Sequence, residues 1–189
     1  MFHRSDRLLL RPVWPEDWRG ILRGIADRQI VRNLASAPWP YGETDARRFA
    51  ALAADPRHPR FIIARACDGE TIGCIGIDPP PPEDGINNGT VEIGYWVARP
   101  HWGQGYASEA GRAVIAIARM LGHTHMLGSH FLDNPASGRV LEKLGFSSTG
   151  RIVERHSCGR GRSAPCAEYS RDLAGDSIDE GERGNPLAA

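Results

Sequence analysis

The sequence has no apolar run approaching the ~20 residues that a membrane-spanning helix requires. Its opening, Met1-Phe2-His3-Arg4-Ser5-Asp6-Arg7, has neither the apolar core nor the small-residue cleavage site of a secretory signal. The expected address is therefore the cytoplasm, with no membrane partner. An excess of charge of one sign is also missing. The 23 Lys and Arg residues face 23 Asp and Glu, so no overall positive field gathers nucleic acid, and direct nucleic-acid binding is not expected. Cysteines are few: Cys67, Cys74, Cys158 and Cys166 match no zinc-ligand spacing, and no metal is expected. Cys67 and Cys74 flank a hairpin turn at Asp68-Gly69-Glu70, which leaves a cross-strand thiol pair open, but a cytosolic chain implies reduced thiols. No internal repeat is visible.

What is present suits one folded unit. The chain has 189 residues, of which 41% are hydrophobic and 24% charged, ordinary values for a globular protein with a core. Residues 172–189 carry five acids and one arginine (−4), which leaves +4 on residues 1–171. This pattern predicts a single domain over 1–173 and a disordered acidic tail over 174–189. Pro79–Pro82 and the following Glu83–Gly89 predict one exposed loop, because four prolines fit neither helix nor central strand.

Hydrophobic periodicity predicts a strand at Leu8–Arg11, a helix from Pro15 to about Ala26, and a helix capped by Thr44 or Asp45. A hairpin follows at Phe61–Cys67 and Thr71–Ile77, then a fourth strand at Thr90–Val97. A long helix spans Tyr106–Leu121 with Gly122 as its stop, and a fifth strand covers Met126–Leu132. Asn134 as N-cap, Pro135 in the first turn and Gly145-Phe146 at the end delimit the last helix. Ser147–Glu154 and Cys166–Leu173 supply two more strands. The fold class is mixed α/β around one sheet.

The stretch that carries chemistry is TVEIGYWVARPHWGQGYASEAG, residues 90–111. A strand enters a glycine-bearing turn that becomes the first turn of a helix. Gly103 and Gly105 permit backbone conformations closed to other residues. The amides from Gly103 to Ser108 then converge at the positive end of a helix dipole, a geometry that holds phosphate oxygens without Lys or Arg. The spacing is not that of a P-loop, because no lysine follows the glycines. Nor is it a dinucleotide fingerprint, which needs three glycines after the first strand.

Residues 97–110, VARPHWGQGYASEA, resemble the acetyl-coenzyme A loop of the GNAT N-acetyltransferases, in the form of the RimJ/RimL-type branch. Residues 134–146, NPASGRVLEKLGF, and the opening Asp6–Pro12 are similar to two further signatures of that branch. The resemblance implies a twisted sheet of about seven strands and about four helices, splayed between its fourth and fifth strands. The pantetheine arm of acetyl-CoA would lie in the opening, pairing with backbone near Trp96 and Val97. Its pyrophosphate would sit on the loop formed by Trp102, Gly103, Gln104, Gly105, Tyr106, Ala107 and Ser108. Asn134, Ser137, Arg139 and Lys143 would complete the cosubstrate side. Many relatives carry a tyrosine seven residues after the helix-capping asparagine as the acid for the leaving thiolate; here Leu141 stands there, and Ser137 is the substitute the branch suggests.

Transfer of an acetyl group to an amine needs a neutral amine and a proton for the departing thiolate. Glu92 is the candidate base, sharing a strand face with Gly94 and Trp96; an ordinary sheet-surface glutamate fits the same position. A protein α-amine, with a reference pKa of ~7.7–8, is about a quarter neutral near pH 7.4, whereas a lysine is neutral about one time in a thousand. One modest base therefore favours a protein or peptide α-amine as acceptor, with small-molecule amines and a non-catalytic acyl-CoA-binding module as alternatives. Trp39 and Tyr41 are candidates for the acceptor-side wall, together with Glu92. No cysteine falls in the matched motifs, which points to direct transfer in a ternary complex. The basic run Arg155–Arg162 fits a hairpin connecting the last two strands, with a site for an acidic peptide or RNA as the alternative. The chain is expected to be a monomer or homodimer.

Overall fold

Period-two alternation at the centre of the chain sends Phe61 and Ile63 to one face of the sheet and Ile62 and Ala64 to the other, and both faces are covered. The structure is a computed structural model that describes residues 1–80 and 89–174; most of the expected proline loop and acidic tail lies outside the described residues. The strands are β1 (His3–Arg4), β2 (Leu8–Pro12), β3 (Arg60–Arg65), β4 (Thr71–Asp78), β5 (Thr90–Val97), β6 (His125–Phe131), β7 (Ser147–Ser157) and β8 (Arg162–Asp172). The helices are α1 (Trp18–Ile25), α2 (Arg28–Val31), α3 (Glu43–Ala50), α4 (Tyr106–Met120) and α5 (Pro135–Lys143), with 3-10 turns at Pro15–Asp17 and Arg99–His101.

All eight strands form one mixed sheet in the order β1-β2-β3-β4-β5-β6-β8-β7. Among the described residues only β5 and β6 pair in parallel. Helix α4 packs its apolar side on Leu8, Leu10, Phe61 and Ile63, while Ile21 and Ile25 of α1, with Ala46 of α3, cover Ile62, Ala64 and Trp96. Gly24 makes that second contact possible: a Cβ there would lie 2.9 Å from the Trp96 ring.

The feature that positions the site is the short seam between β5 and β6. Their register holds for three pairs, Thr90↔His125, Val91↔Met126 and Glu92↔Leu127, and then the strands part. From there β5 stays with β4 as far as Val97, and β6 stays with β8 as far as Phe131. Gly128, the next residue of β6, leaves room for Leu141 of α5; a Cβ would meet Leu141 Cδ2 at 2.7 Å and Ile93 Cγ2 at 3.3 Å. The buried Leu141 thus fixes α5 beside the point of parting. Both helix stops have the expected chemistry. Gly145 (φ +76°) and Phe146 return their amides to the Glu142 and Leu141 carbonyls at 2.9 and 3.0 Å, and Gly122 (φ +83°) closes α4 in the same way.

The structure corrects several sequence expectations. The sheet has eight strands rather than about seven, because His3 and Arg4 pair with Leu10 and Leu9. The helices number five rather than about four, the addition being one turn, α2, whose first turn is held by Asp27 accepting the Gln29 amide at 2.7 Å. The first helix opens as a 3-10 turn, and α3 is capped at Gly42, whose amide donates to Asp45 at 3.0 Å, rather than at Thr44 or Asp45. Strands β7 and β8 are longer than expected because pairing runs to Ser157↔Arg162 at a tight turn. All four cysteines are free.

Candidate active site

After Val97 the chain leaves the sheet: Ala98 N–H donates to the Ile72 carbonyl at 2.8 Å, and the Arg99–His101 turn reverses direction. The Trp102 indole N–H donates to the Val97 carbonyl at 2.6 Å and closes the loop on itself. Gly103 (φ +73°) and Gly105 (φ +80°) both adopt the left-handed conformation, and Gly105 is the N-cap of α4. The helical ladder opens with Glu109 N–H on the Gly105 carbonyl at 3.0 Å. The amides of Tyr106, Ala107 and Ser108 therefore precede any intrahelical partner and form the positive end of a 15-residue helix.

The loop is braced from outside by the N-terminal segment. Arg7 donates from Nη1 to the Gln104 carbonyl (3.0 Å) and from Nε to Glu109 (2.8 Å), and its guanidinium lies 4.7 Å from the Tyr106 ring centre. Glu109 also accepts from the Ser5 hydroxyl at 2.7 Å and the Arg7 amide at 3.1 Å. Burial pushes the Glu109 carboxyl upward, but the Ser5 and Arg7 hydrogen bonds outweigh it and leave the group below its ordinary value. Sequence reasoning saw Arg7 and Glu109 only as parts of two motifs; their sequence separation hid the contact.

Loop, strand opening and helix ends enclose a cleft of about 730 Å³. Of the expected cosubstrate residues, Trp96, Val97, Trp102, Gly103, Gly105, Tyr106, Ala107, Ser108, Asn134, Ser137, Arg139 and Lys143 line it. Gln104 does not; its side-chain amide turns back to the Pro100 carbonyl at 3.0 Å, and its own carbonyl accepts from Arg7. Asn134 stands at the N-cap position of α5, yet its side chain makes no capping hydrogen bond, contrary to the expected capping role. The helix starts instead through Pro135 and the Asn134 carbonyl, which accepts the Ser137 amide at 3.1 Å.

On the acceptor side Tyr41 lines the cleft and Trp39 does not. Ala37 and Tyr41 anchor their loop in the core, which leaves Trp39 in solvent at 41% exposure. Burial pushes the Tyr41 phenol up to about 12, helped by the nearby Asp45 charge. Glu92 stands on the last β5–β6 rung and accepts the Ser129 hydroxyl at 2.9 Å.

Tyr95 is the residue that sequence reasoning missed. Strand alternation put it on the face opposite Glu92, toward the core. Where β5 has lost its neighbour, however, its phenol crosses the opening to Ser137 Oγ at 2.8 Å. Burial raises the phenol to about 12 against the opposing pull of that hydrogen bond. Leu141 is core packing on Gly128, so on the α5 side of the opening the paired hydroxyls are those of Tyr95 and Ser137. Among the described residues no group of three His, Cys, Asp or Glu side chains is arranged to hold a metal ion. No described helix is long and apolar enough to cross a membrane.

These residues suit a thiol-bearing nucleotide. A Cβ at Gly103 would meet no atom within 4 Å, so the loop is open to close approach. The free α4 amides are suited to phosphate, and Arg139 and Lys143, one turn apart on α5, add two cations to the lining of the same cleft.

Comparison with known proteins agrees with this geometry. The family described as Acetyltransferase (GNAT) domain matches residues 7–147. The uncharacterized N-acetyltransferase YoaA of Bacillus subtilis (strain 168) is 31% identical over 152 residues, covering 77% of this chain and 82% of its own. A GNAT-family acetyltransferase from Bacillus anthracis superposes with a TM-score of 0.77 at 21% identity, over 92% of this chain and 99% of that one. RimL, a ribosomal L7/L12 α-N-protein acetyltransferase in complex with coenzyme A, does so with a TM-score of 0.75 at 16% identity, over 93% and 100%. Because the family match runs from the Arg7 brace through the Gly145-Phe146 helix stop, well over half of its length, this chain belongs to the GNAT family and is an acetyl-CoA-dependent N-acetyltransferase.

Proposed function

We propose that the amine acetylated by this enzyme is the α-amine at the N-terminus of a protein or peptide, reached by direct transfer in a ternary complex. The charge balance of the acceptor half of the cleft carries this reading. Its wall is apolar, with Ile25, Ile30, Leu34, Tyr41, Phe49 and Leu52. Of the lining carboxylates, Asp45 is paired with Arg48 at 3.2 Å and Asp78 faces Arg60 at 3.6 Å. A polyamine or aminoglycoside carries several cations and is held by carboxylates in excess; here two arginines offset two of the three acids. Both RimL and a spermidine N-acetyltransferase from Vibrio cholerae share the fold, so the fold alone does not choose between these acceptors.

Bound acetyl-CoA supplies an activated thioester acetyl group. Glu92 accepts the proton that the attacking amine releases, and Ser129 holds one of its oxygens in place. On the thiol side the Ser137 hydroxyl donates a hydrogen bond that stabilises the departing thiolate, which then takes its proton from water. Tyr95 is a positioning residue: its phenol stays neutral, and its 2.8 Å contact with Ser137 Oγ, in which either oxygen can donate, holds the serine hydroxyl at the opening. Cys74 lines the cleft, but burial holds its thiol well above the ordinary range, so it stays protonated and is a poor nucleophile for an acyl-enzyme.

The test is coenzyme A release over a panel of N-terminal peptides, free amino acids, polyamines and aminoglycosides. Peptides with a free α-amine are expected to give the highest kcat/KM. A polyamine or aminoglycoside that exceeds every peptide at neutral pH overturns the assignment.

A further inference from the structure

A second recess, of about 420 Å³, lies beside the acceptor side of the cleft. It is lined by Arg28, Gln29 and Arg32 of the α2 region and by Gly159, Arg160 and Arg162 of the β7–β8 turn. The next residues along, Asn33, Leu34 and Ala35, line the cleft itself, so the two depressions share one stretch of chain as their divide.

The recess is firmly constructed. Ser157 Oγ donates to the Leu34 carbonyl at 2.8 Å, the Cys158 amide to Ala35 at 2.8 Å, and Arg160 Nε to the Arg32 carbonyl at 2.6 Å. Gly159 allows the turn to lie flat on α2, since a Cβ there would fall 2.6 Å from the Val31 carbonyl oxygen. Arg160 stacks 4.2 Å from the Phe131 ring centre and grips Asp133 with two nitrogens, at 2.9 and 2.7 Å. Arg32 reaches the same carboxylate at 2.5 Å.

Among the described residues, Asp133 thus pairs with two of the four guanidiniums that line the recess, those of Arg32 and Arg160. The neighbouring Asp27 is turned elsewhere, to the Gln29 amide at 2.7 Å and toward Arg99 at 3.5 Å. Arg28 and Arg162 stand exposed at the margin. Guanidinium forks match carboxylates in geometry as well as charge.

We infer that this recess holds acidic side chains of the acceptor, in the residues that follow its α-amine. The inference rests on the α-amine reading above and narrows it to N-termini followed by Asp or Glu. An extended acceptor whose amine lies at Glu92 leaves the cleft past Leu34 and Ala35 and next meets the arginines. A nucleic acid fits less well. The recess has no aromatic side chain on which a base would stack, and the chain as a whole has no excess of positive charge.

The experiment compares peptides that share their first two residues and continue with Asp/Glu, Asn/Gln or Lys/Arg, using the wild-type protein and the double variant Arg28→Glu/Arg162→Glu. Both positions are exposed, and the melting temperature of the variant verifies folding. For the wild type, acidic peptides are expected to show roughly three- to tenfold lower KM than neutral ones, an advantage that shrinks in high salt and vanishes in the variant. Equal KM for acidic and neutral peptides, or a preference for basic ones, overturns the inference while leaving the α-amine assignment intact. Fluorescence anisotropy with an N-acetylated, labelled acidic peptide separates the two claims. Binding that the double variant loses supports the recess even if no peptide is acetylated, in which case the α-amine assignment fails alone. Tighter binding of a single-stranded RNA of equal charge overturns the peptide assignment.

Discussion

Glu92 and the Tyr95–Ser137 pair stand on either side of the strand opening, and each makes its own prediction. Glu92→Gln keeps the shape and the Ser129 contact but removes the base. It is expected to lower kcat by about 10²–10³ at neutral pH while the acetyl-CoA Kd stays within about twofold, measured by steady-state kinetics and calorimetry. Comparable losses in both would make Glu92 structural. Tyr95→Phe is expected to lower kcat roughly five- to tenfold, about 1–1.4 kcal/mol, and to have no further effect once Ser137 is alanine. Additive effects in that double-mutant cycle would show that Tyr95 acts independently of Ser137. Glu92 was legible as a candidate from its strand face, and Ser137 from the resemblance of its helix to the family branch. Tyr95 was not, because alternation describes a strand with neighbours on both sides, and β5 loses one of them three residues earlier.

At the scale of elements, the glycine loop and α4 depend on a partner about a hundred residues away. Gly105→Val forces a branched side chain into φ +80° at the N-cap. It is expected to abolish acetyl-CoA binding in calorimetry, and unchanged affinity would remove the phosphate role from the loop. Glu109 ties the loop to Ser5 and Arg7, and its folded-state carboxyl lies below the ordinary value. Its contribution is thus complete above about pH 4.5 and is lost as pH falls through the folded value. Glu109→Gln should cost about 1–2 kcal/mol at pH 7 and lose less of its stability between pH 5 and 3 than the wild type, as read from melting curves. A parallel decline of both proteins would contradict the brace. The single turn of α2 was too short to show a period, whereas the four longer helices, strands β2 to β8 and both glycine stops were readable from period and punctuation. The α3 cap was not, because Gly42 serves through its backbone and Asp45 acts from within the helix. Nor was β1, since two residues are too few to show alternation.

At the scale of the whole molecule, the sheet is two half-sheets joined by three rungs, with helices on both faces. The resemblance in the motifs carried this splayed arrangement into the reading; composition and periodicity alone gave only a mixed α/β fold. A ligand that bonds to both sides of the opening stabilises them jointly. At a hundredfold excess over Kd, acetyl-CoA should add about 2.7 kcal/mol and raise Tm by roughly 5–10 °C. Amide exchange should slow along Ile93–Val97 and Gly128–Phe131 rather than at β1 and β2. Uniform protection, or none, would place the ligand elsewhere.

The parting of β5 from β6 has one more consequence. Sheet margins normally lie at the rim of a protein, where their unpaired amides can recruit a foreign strand. Here two such margins face each other indoors, roofed by α4 and α5, with a slit between them. A slender tether that carries its own amide groups would find strand-like partners along such a margin, so the architecture offers its guest backbone pairing as well as a seat for phosphate.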